Sequence, residues 1–174
     1  MKKLLFVAAF AFAAQFAQAQ ETLPALQKGK WLVETNLSPF SLTKTTGLSY
    51  MSNDGNSEWA VGGEAGYFAA DKLAIKLGLG IYGQKYEGLD SETALSYKIG
   101  AKYYISNILP IQVDFGGINS DGDNATILGA QIGYAWFVRD NISIEPGVRY
   151  DHGLNDIASD IKTFSARIGF SLHF

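Results

Sequence analysis

The sequence predicts an all-β fold, a closed eight-stranded antiparallel up-and-down transmembrane β-barrel, and three observations carry that expectation. The last eleven residues alternate apolar and polar side chains up to a terminal aromatic, Phe174. Ionised residues share the glycine- and serine-rich row of their strands, and none stands on the bulky apolar row. Beyond an N-terminal apolar run of eleven residues, Leu4 to Ala14, no stretch is apolar for as long, and that run is itself too short to span a bilayer as a helix.

The closing segment is the clearest. Phe164, Ala166, Ile168, Phe170, Leu172 and Phe174 alternate with Ser165, Arg167, Gly169, Ser171 and His173. Successive side chains of a strand point to opposite faces, so one face is oily and the other polar. A strand with lipid outside and a polar lumen inside is stabilised by that pattern.

The first residues carry an address. Lys2 and Lys3 precede the apolar run, and Ala17-Gln18-Ala19 has the small-x-small form of a cleavage site. Residues 1–19 read as a cleaved secretory signal peptide, with cleavage between Ala19 and Gln20. Residues 20–29 then form a short periplasmic N-terminal segment, and residues 30–174 the barrel. Without the two lysines the chain holds 12 basic and 17 acidic residues, a formal charge of −5. No basic stripe exists to neutralise phosphates, which excludes a nucleic-acid binder. Cysteine is absent, so stability has to come from a closed hydrogen-bond network or a large core.

Alternation of period two marks each strand in turn. Trp31, Val33, Thr35 and Leu37 alternate with Leu32, Glu34 and Asn36; Pro39 interrupts, and an extended piece continues through Leu48, Tyr50 and Ser52. These two pieces read as one kinked strand with its hairpin extension, since separate strands would make the count nine. The turn Asn53-Asp54-Gly55-Asn56 leads to Trp59, Val61, Ala65 and Tyr67, set against Glu58, Ala60, Gly62, Glu64 and Gly66. The most regular strand runs Leu73, Ile75, Leu77, Leu79, Ile81 against Ala74, Lys76, Gly78, Gly80, Tyr82. Leu95 to Tyr103, Ile111 to Phe115, Leu128 to Trp136 and Ile142 to Tyr150 follow the same rule, before the closing strand. Short turns at 69–72, 106–110 and 138–141 alternate with longer polar loops at 52–57, 87–92, 119–124 and 151–160. An even count puts both termini on the periplasmic side, with the long loops outside.

The orientation of the faces decides the environment. A soluble eight-stranded barrel keeps its apolar row inside around a ligand. Here the apolar row is bulky along whole strands, and the opposite row is rich in glycine, which suits a narrow lumen. Aromatics gather near strand ends: Trp31, Tyr67, Tyr103, Trp136 and Phe174 at one, Tyr50, Trp59, Tyr97, Phe115, Tyr150 and Phe164 nearer the other. Two such girdles are expected where amphipathic rings meet lipid headgroups. The polar row then supplies a lumen charge network of Glu34, Glu64, Lys76, Lys98, Lys102, Asp114, Glu145, Arg149 and Arg167. Buried charges need partners, and strand adjacency suggests Glu64 with Lys76, Lys102 with Asp114, and Glu34 with Arg167 at the seam.

The ending Arg167-Ile168-Gly169-Phe170-Ser171-Leu172-His173-Phe174 resembles an outer-membrane assembly signal, with Arg167, Gly169, Leu172 and Phe174 on the matching positions. The segment Gly66-Tyr67-Phe68-Ala69-Ala70-Asp71-Lys72-Leu73-Ala74 resembles the second hairpin of the outer membrane protein beta-barrel domain group. As a pattern over about 155 residues, the mature chain is similar to small outer-membrane β-barrels of the OmpA/OmpX type. The resemblance implies residence in the outer membrane of a Gram-negative-type bacterium. It also implies contact with membrane lipid and lipopolysaccharide, delivery by a barrel-assembly machine, and a monomer.

A structural or surface-interaction role without catalysis or cofactor is the expected function. A narrow channel and a lipid-modifying outer-membrane enzyme are the alternatives. Eight strands enclose an interior that side chains can fill, which disfavours an open pore. For an enzyme, the available groups are His152 beside Asp151 in the last loop, and Asp90-Ser91 in the second; no local spacing joins them into a triad. Asp121-Gly122-Asp123-Asn124 offers oxygen ligands for a divalent cation but lacks the twelve-residue loop and closing Glu of an EF-hand. No cysteine and histidine cluster exists for zinc. Gly78-Leu79-Gly80-Ile81-Tyr82-Gly83 alternates as a strand and opens no helix, so it is no dinucleotide fingerprint.

Overall fold

The computed structural model describes residues 22–37, 47–88, 90–120 and 122–174. The expected signal peptide with its Ala19–Gln20 cleavage point, the Pro39 interruption and Asp121 lie outside these residues. The described residues form ten strands joined in a ring. They are β1 (Trp31–Leu37), β2 (Leu48–Asn53), β3 (Asn56–Ala70), β4 (Leu73–Lys85) and β5 (Glu92–Ile105). β6 (Leu109–Ser120), β7 (Asp123–Gly133), β8 (Trp136–Arg139), β9 (Ile142–Gly153) and β10 (Lys162–His173) complete the set. Two 3-10 turns, Pro24–Leu26 and Asp156–Ala158, are the only helical pieces among the described residues, and no helix there is long and apolar enough to cross a membrane.

Chain neighbours pair antiparallel from β2 round to β7. The ring then returns to its start: β10 pairs with β9 on one side and with β1 on the other, Leu32 opposite His173 and Leu37 opposite Ile168. Trp31 and Phe174 exchange both backbone hydrogen bonds across this seam, at 2.7 and 3.0 Å. The backbone groups of β1 and β10 are thereby paired across the seam.

Two places depart from one strand per alternating run. β1 and β2 both lie along β3, with Glu34 opposite Glu64 and Leu48 opposite Val61. β7 and β8 both lie along β9, with Gly133 opposite Gly147 and Trp136 opposite Ile144. The sequence alternation runs unbroken from Leu128 to Trp136, yet the ladder breaks at Tyr134 and Ala135. Pro146, which has no N–H to donate, stands opposite this break. Its carbonyl accepts the Tyr134 N–H at 2.9 Å, while the Ala135 N–H turns away to the Ile108 carbonyl at 2.7 Å.

Two connections expected as longer loops are tight. The chain reverses at Asp54 and Gly55, both with positive φ, the mirror-type two-residue turn for which Asp-Gly is suited. Ser120 pairs directly with Asp123, so the 119–124 stretch is mostly strand. Among the described residues, the 154–161 segment with its 3-10 turn remains longer on that side. The turns at 71–72, 106–108 and 140–141 share the other end with Trp31 and Phe174.

Burial is inverted relative to a water-soluble barrel. Along β4, Leu79 is 65% exposed while Lys76 is 2% exposed. Ile75, Leu77 and Ile81 point out beside Leu79, and Ala74 points in with Lys76. Trp31, Tyr67, Trp136 and Phe174 are exposed near the turn end; Tyr50, Trp59, Tyr97, Tyr150 and Phe164 are exposed toward the other. Among the described residues a buried apolar cluster lies at the turn end, where Leu26, Leu32, Phe68, Ala74, Tyr104 and Ala135 pack together.

Candidate functional site

The candidate site is the interior, because the charged side chains converge there. Period two sends Glu34 of β1, Glu64 of β3, Lys76 of β4, Lys98 and Lys102 of β5, and Asp114 of β6 inward. Glu145 and Arg149 of β9 and Arg167 of β10 complete the nine charges expected from the sequence, and all nine are buried. A tenth, Asp151, is buried with them. The polar stretch 151–160 reads as a loop in the sequence, but β9 continues through Gly153 and its parity turns the Asp151 carboxylate inward. Among the described residues, the inward carboxylates Glu34, Glu64, Asp114, Glu145 and Asp151 thus meet Lys76, Lys98, Lys102, Arg149 and Arg167, and Lys72 is buried near the turn end as well.

The pairing runs across the barrel as well as along its wall. Lys102 contacts both Glu34 and Glu145, the latter on β9, which is not its neighbour in the ring. Lys76 lies 3.0 Å from Glu34 and 2.8 Å from Glu64, and donates to Gln112 Oε1 at 2.8 Å. Lys98 reaches Glu64 at 2.6 Å and Asp114 at 4.0 Å. Arg149 grips Asp114 with two hydrogen bonds of 2.6 Å and donates from Nε to Asp151 at 2.8 Å. Such a two-pronged guanidinium–carboxylate contact is the strong form of this interaction. Gly129 makes room for it, since a Cβ there would fall on the Arg149 guanidinium.

Of the three pairs suggested by strand adjacency, Glu64–Lys76 is present. The Lys102–Asp114 pair is not: Lys102 crosses to Glu145, and Asp114 is taken by Arg149. The Glu34–Arg167 pair is replaced as well. The seam register sets Glu34 opposite Ser171, whose hydroxyl donates to it at 3.2 Å, and leaves Arg167 four residues further along. Arg167 instead lies 3.7 Å from Asp151.

Polar contacts continue from the charges to the turn end. The Tyr104 hydroxyl donates to Glu145 at 2.9 Å, the Ser143 hydroxyl donates to Glu145 at 2.8 Å, and Ser143 Oγ lies 3.3 Å from His173 Nε2. Serine, histidine and an acid thus meet, but in the wrong order for nucleophilic catalysis. The acid binds the hydroxyl rather than the far nitrogen of the imidazole, where it would orient a general base. Ser143 is also 0% exposed, with no space beside it for a substrate.

The other candidate groups do not converge. His152 follows Asp151 on β9, so the two side chains take opposite faces; the His152 ring stacks on Tyr150 at 6.4 Å. Asp90 and Ser91 are exposed in the 86–91 connection. Asp123 is exposed at the start of β7, and no group of three or more potential metal ligands occurs among the described residues. Gly78 to Gly83 lies wholly within β4. In the terminal strand Arg167 and Gly169 face inward, whereas Leu172 and Phe174 face outward beside the seam.

No protein-family model and no curated protein sequence matches the chain. Solved structures do resemble it. The Yersinia pestis outer membrane protein Ail, in a phospholipid bilayer nanodisc, superposes with a TM-score of 0.54 at 12% identity, over 84% of this chain and 100% of that one. The N-terminal β-barrel domain of Pseudomonas aeruginosa OprF gives 0.49 at 17% identity, over 84% and 98%. OprG, also from Pseudomonas aeruginosa, gives 0.49 at 14% identity, over 85% and 97%. With the Ail match added to the ring of strands, the fold of this chain is that of the small outer-membrane β-barrel proteins.

Proposed function

We propose that the chain is an integral outer-membrane β-barrel with a structural or surface-interaction role, its lumen filled by paired charges. In this reading β1 with β2, and β7 with β8, are halves of single staves, so the barrel has eight. Pairing of both halves to one neighbour supports that count. The single observation that carries the membrane reading is the inversion of burial, charges inside and an apolar belt outside. Water would strip such a belt of any favourable environment; acyl chains supply one. Location in the outer membrane of a Gram-negative-type bacterium is supported by the shared fold. The exposed row contacts lipid and lipopolysaccharide, and the chain works as a monomer.

Arg167, Gly169, Leu172 and Phe174 serve in this reading as the signal for the assembly machinery. No catalytic role is assigned, because Ser143, His173 and Glu145 are spent on the interior contacts described above. Buried ion pairs that link strands across the interior favour a filled lumen over a narrow channel.

Gel migration and conductance test this together. In outer-membrane fractions the unboiled chain should run at a position different from the boiled chain, as a barrel that survives detergent does. Reconstituted in planar bilayers it should give no stepwise conductance, and expression should leave the lipid A mass spectrum unchanged. One migration position with and without boiling would remove the barrel. Regular conductance steps would make it a channel, and a lipid A mass shift would make it an enzyme.

A further inference from the structure

The N-terminal segment does something that ring closure does not require. The ring closes through β1, starting at Trp31, yet the residues before it are ordered inside the turn end. Leu26 is 0% and Ala25 6% exposed. Leu26 packs among Leu32, Phe68, Ala74, Tyr104 and Ala135, inward groups drawn from β1, β3, β4 and β5 and from the junction ahead of β8. Together they make an apolar layer between the ion pairs and the turn-end mouth. His173 marks the boundary, one edge 3.3 Å from Ser143 and its face 6.0 Å from the Phe68 ring.

A short set of hydrogen bonds holds the segment in place. The Lys72 N–H donates to the Leu26 carbonyl at 2.7 Å, the Gly29 N–H to the Phe68 carbonyl at 2.9 Å, and the Lys28 N–H to the Asp71 carboxylate at 2.8 Å. All three partners lie in or beside the 71–72 turn. The strand ladders are far more extensive, and before Trp31 they are continued by Phe68 alone, which donates to the Lys30 carbonyl and accepts from the Gly29 N–H. Leu26 and Ala25 are buried, Leu23 packs beside them and the Ala25 backbone bonds His173, yet these ties are few beside the strand ladders, so the unit opens at a lower cost than the barrel.

We propose that residues 23–30 are a built-in stopper, which closes the turn-end mouth independently of the charge network and can leave it without unfolding the ring. The proposal rests on the membrane-barrel reading and extends it. Opening the stopper admits solvent to the apolar layer from the periplasmic side, whereas the ion pairs above stay closed.

The chain has no cysteine, so one introduced thiol reports cleanly. Ala74→Cys sits in the apolar layer, and a water-soluble maleimide should label it slowly in the otherwise intact, lipid-reconstituted chain. Adding Leu26→Asp should speed labelling by about a hundredfold through the local opening equilibrium, with heat-modifiable migration retained. Leu26→Ala should give a smaller rise in the same direction. Equal rates with and without either substitution, fast or slow, would overturn the stopper. Loss of heat-modifiable migration in both Leu26 variants would overturn its independence from the ring. Loss of that migration in Ala74→Cys alone would indict the membrane-barrel reading instead.

Discussion

Replacing Lys102 by Met should lower the free energy of unfolding by about 3–5 kcal/mol, the cost of leaving buried carboxylates without their cation. Lys102 ties Glu34 to Glu145, and both are buried. Met keeps the length of the aliphatic stem, so packing against Tyr104 is largely conserved and the loss reports charge. Urea titration of the protein folded in lipid vesicles measures it. Adding Glu145→Gln should recover part of the loss. The Gln carbonyl still accepts from Tyr104 and Ser143, and Glu34 keeps Lys76 at 3.0 Å. A loss below about 1 kcal/mol would mean the pair is exposed to water like a surface salt bridge.

Leu79→Arg should cost about 2–4 kcal/mol in the same assay, the range for a cation on the lipid face near mid-depth of a membrane barrel. Leu79 is the central residue of β4 and points outward. On a face bathed by water the same change would fall within about 0.5 kcal/mol of neutral. Ser91→Arg, in the exposed connection before β5, supplies that comparison within this chain and should stay near neutral. Two arginines at exposed positions thus separate lipid from solvent.

The faces of the strands were legible because period two is a local property. Leu73 to Ile81 shows its outward row in the sequence alone, and the nine lumen charges follow from the same parity. What adjacency could not supply was reach across the barrel. Lys102 and Asp114 are near neighbours in the sheet, but in a narrow interior a lysine stem spans to Glu145 on a strand not adjacent to its own. The seam pair failed for a different reason: register, set by backbone pairing at Leu32–His173, is invisible in composition. Asp151 was hidden by the polar stretch that follows it, which reads as loop although the strand runs on to Gly153. The break ahead of β8 had a visible cause in Pro146, whose missing N–H affects a partner strand rather than its own. Leu23 and Leu26 were the available signal for the stopper, two leucines ahead of the first strand with no alternation to explain them.

The account stands on the direction of the apolar row, and nitroxide accessibility measures that directly. Single cysteines at Leu77, Leu79, Ile81, Leu95 and Val113, each outward and exposed, can be spin-labelled in the cysteine-free chain and reconstituted in bilayers. All five labels should collide freely with oxygen and hardly with a water-soluble nickel complex, with the contrast greatest at Leu79. If the nickel complex reaches Leu77 and Leu79 as readily as oxygen does, the oily face meets water and the barrel does not lie in a membrane.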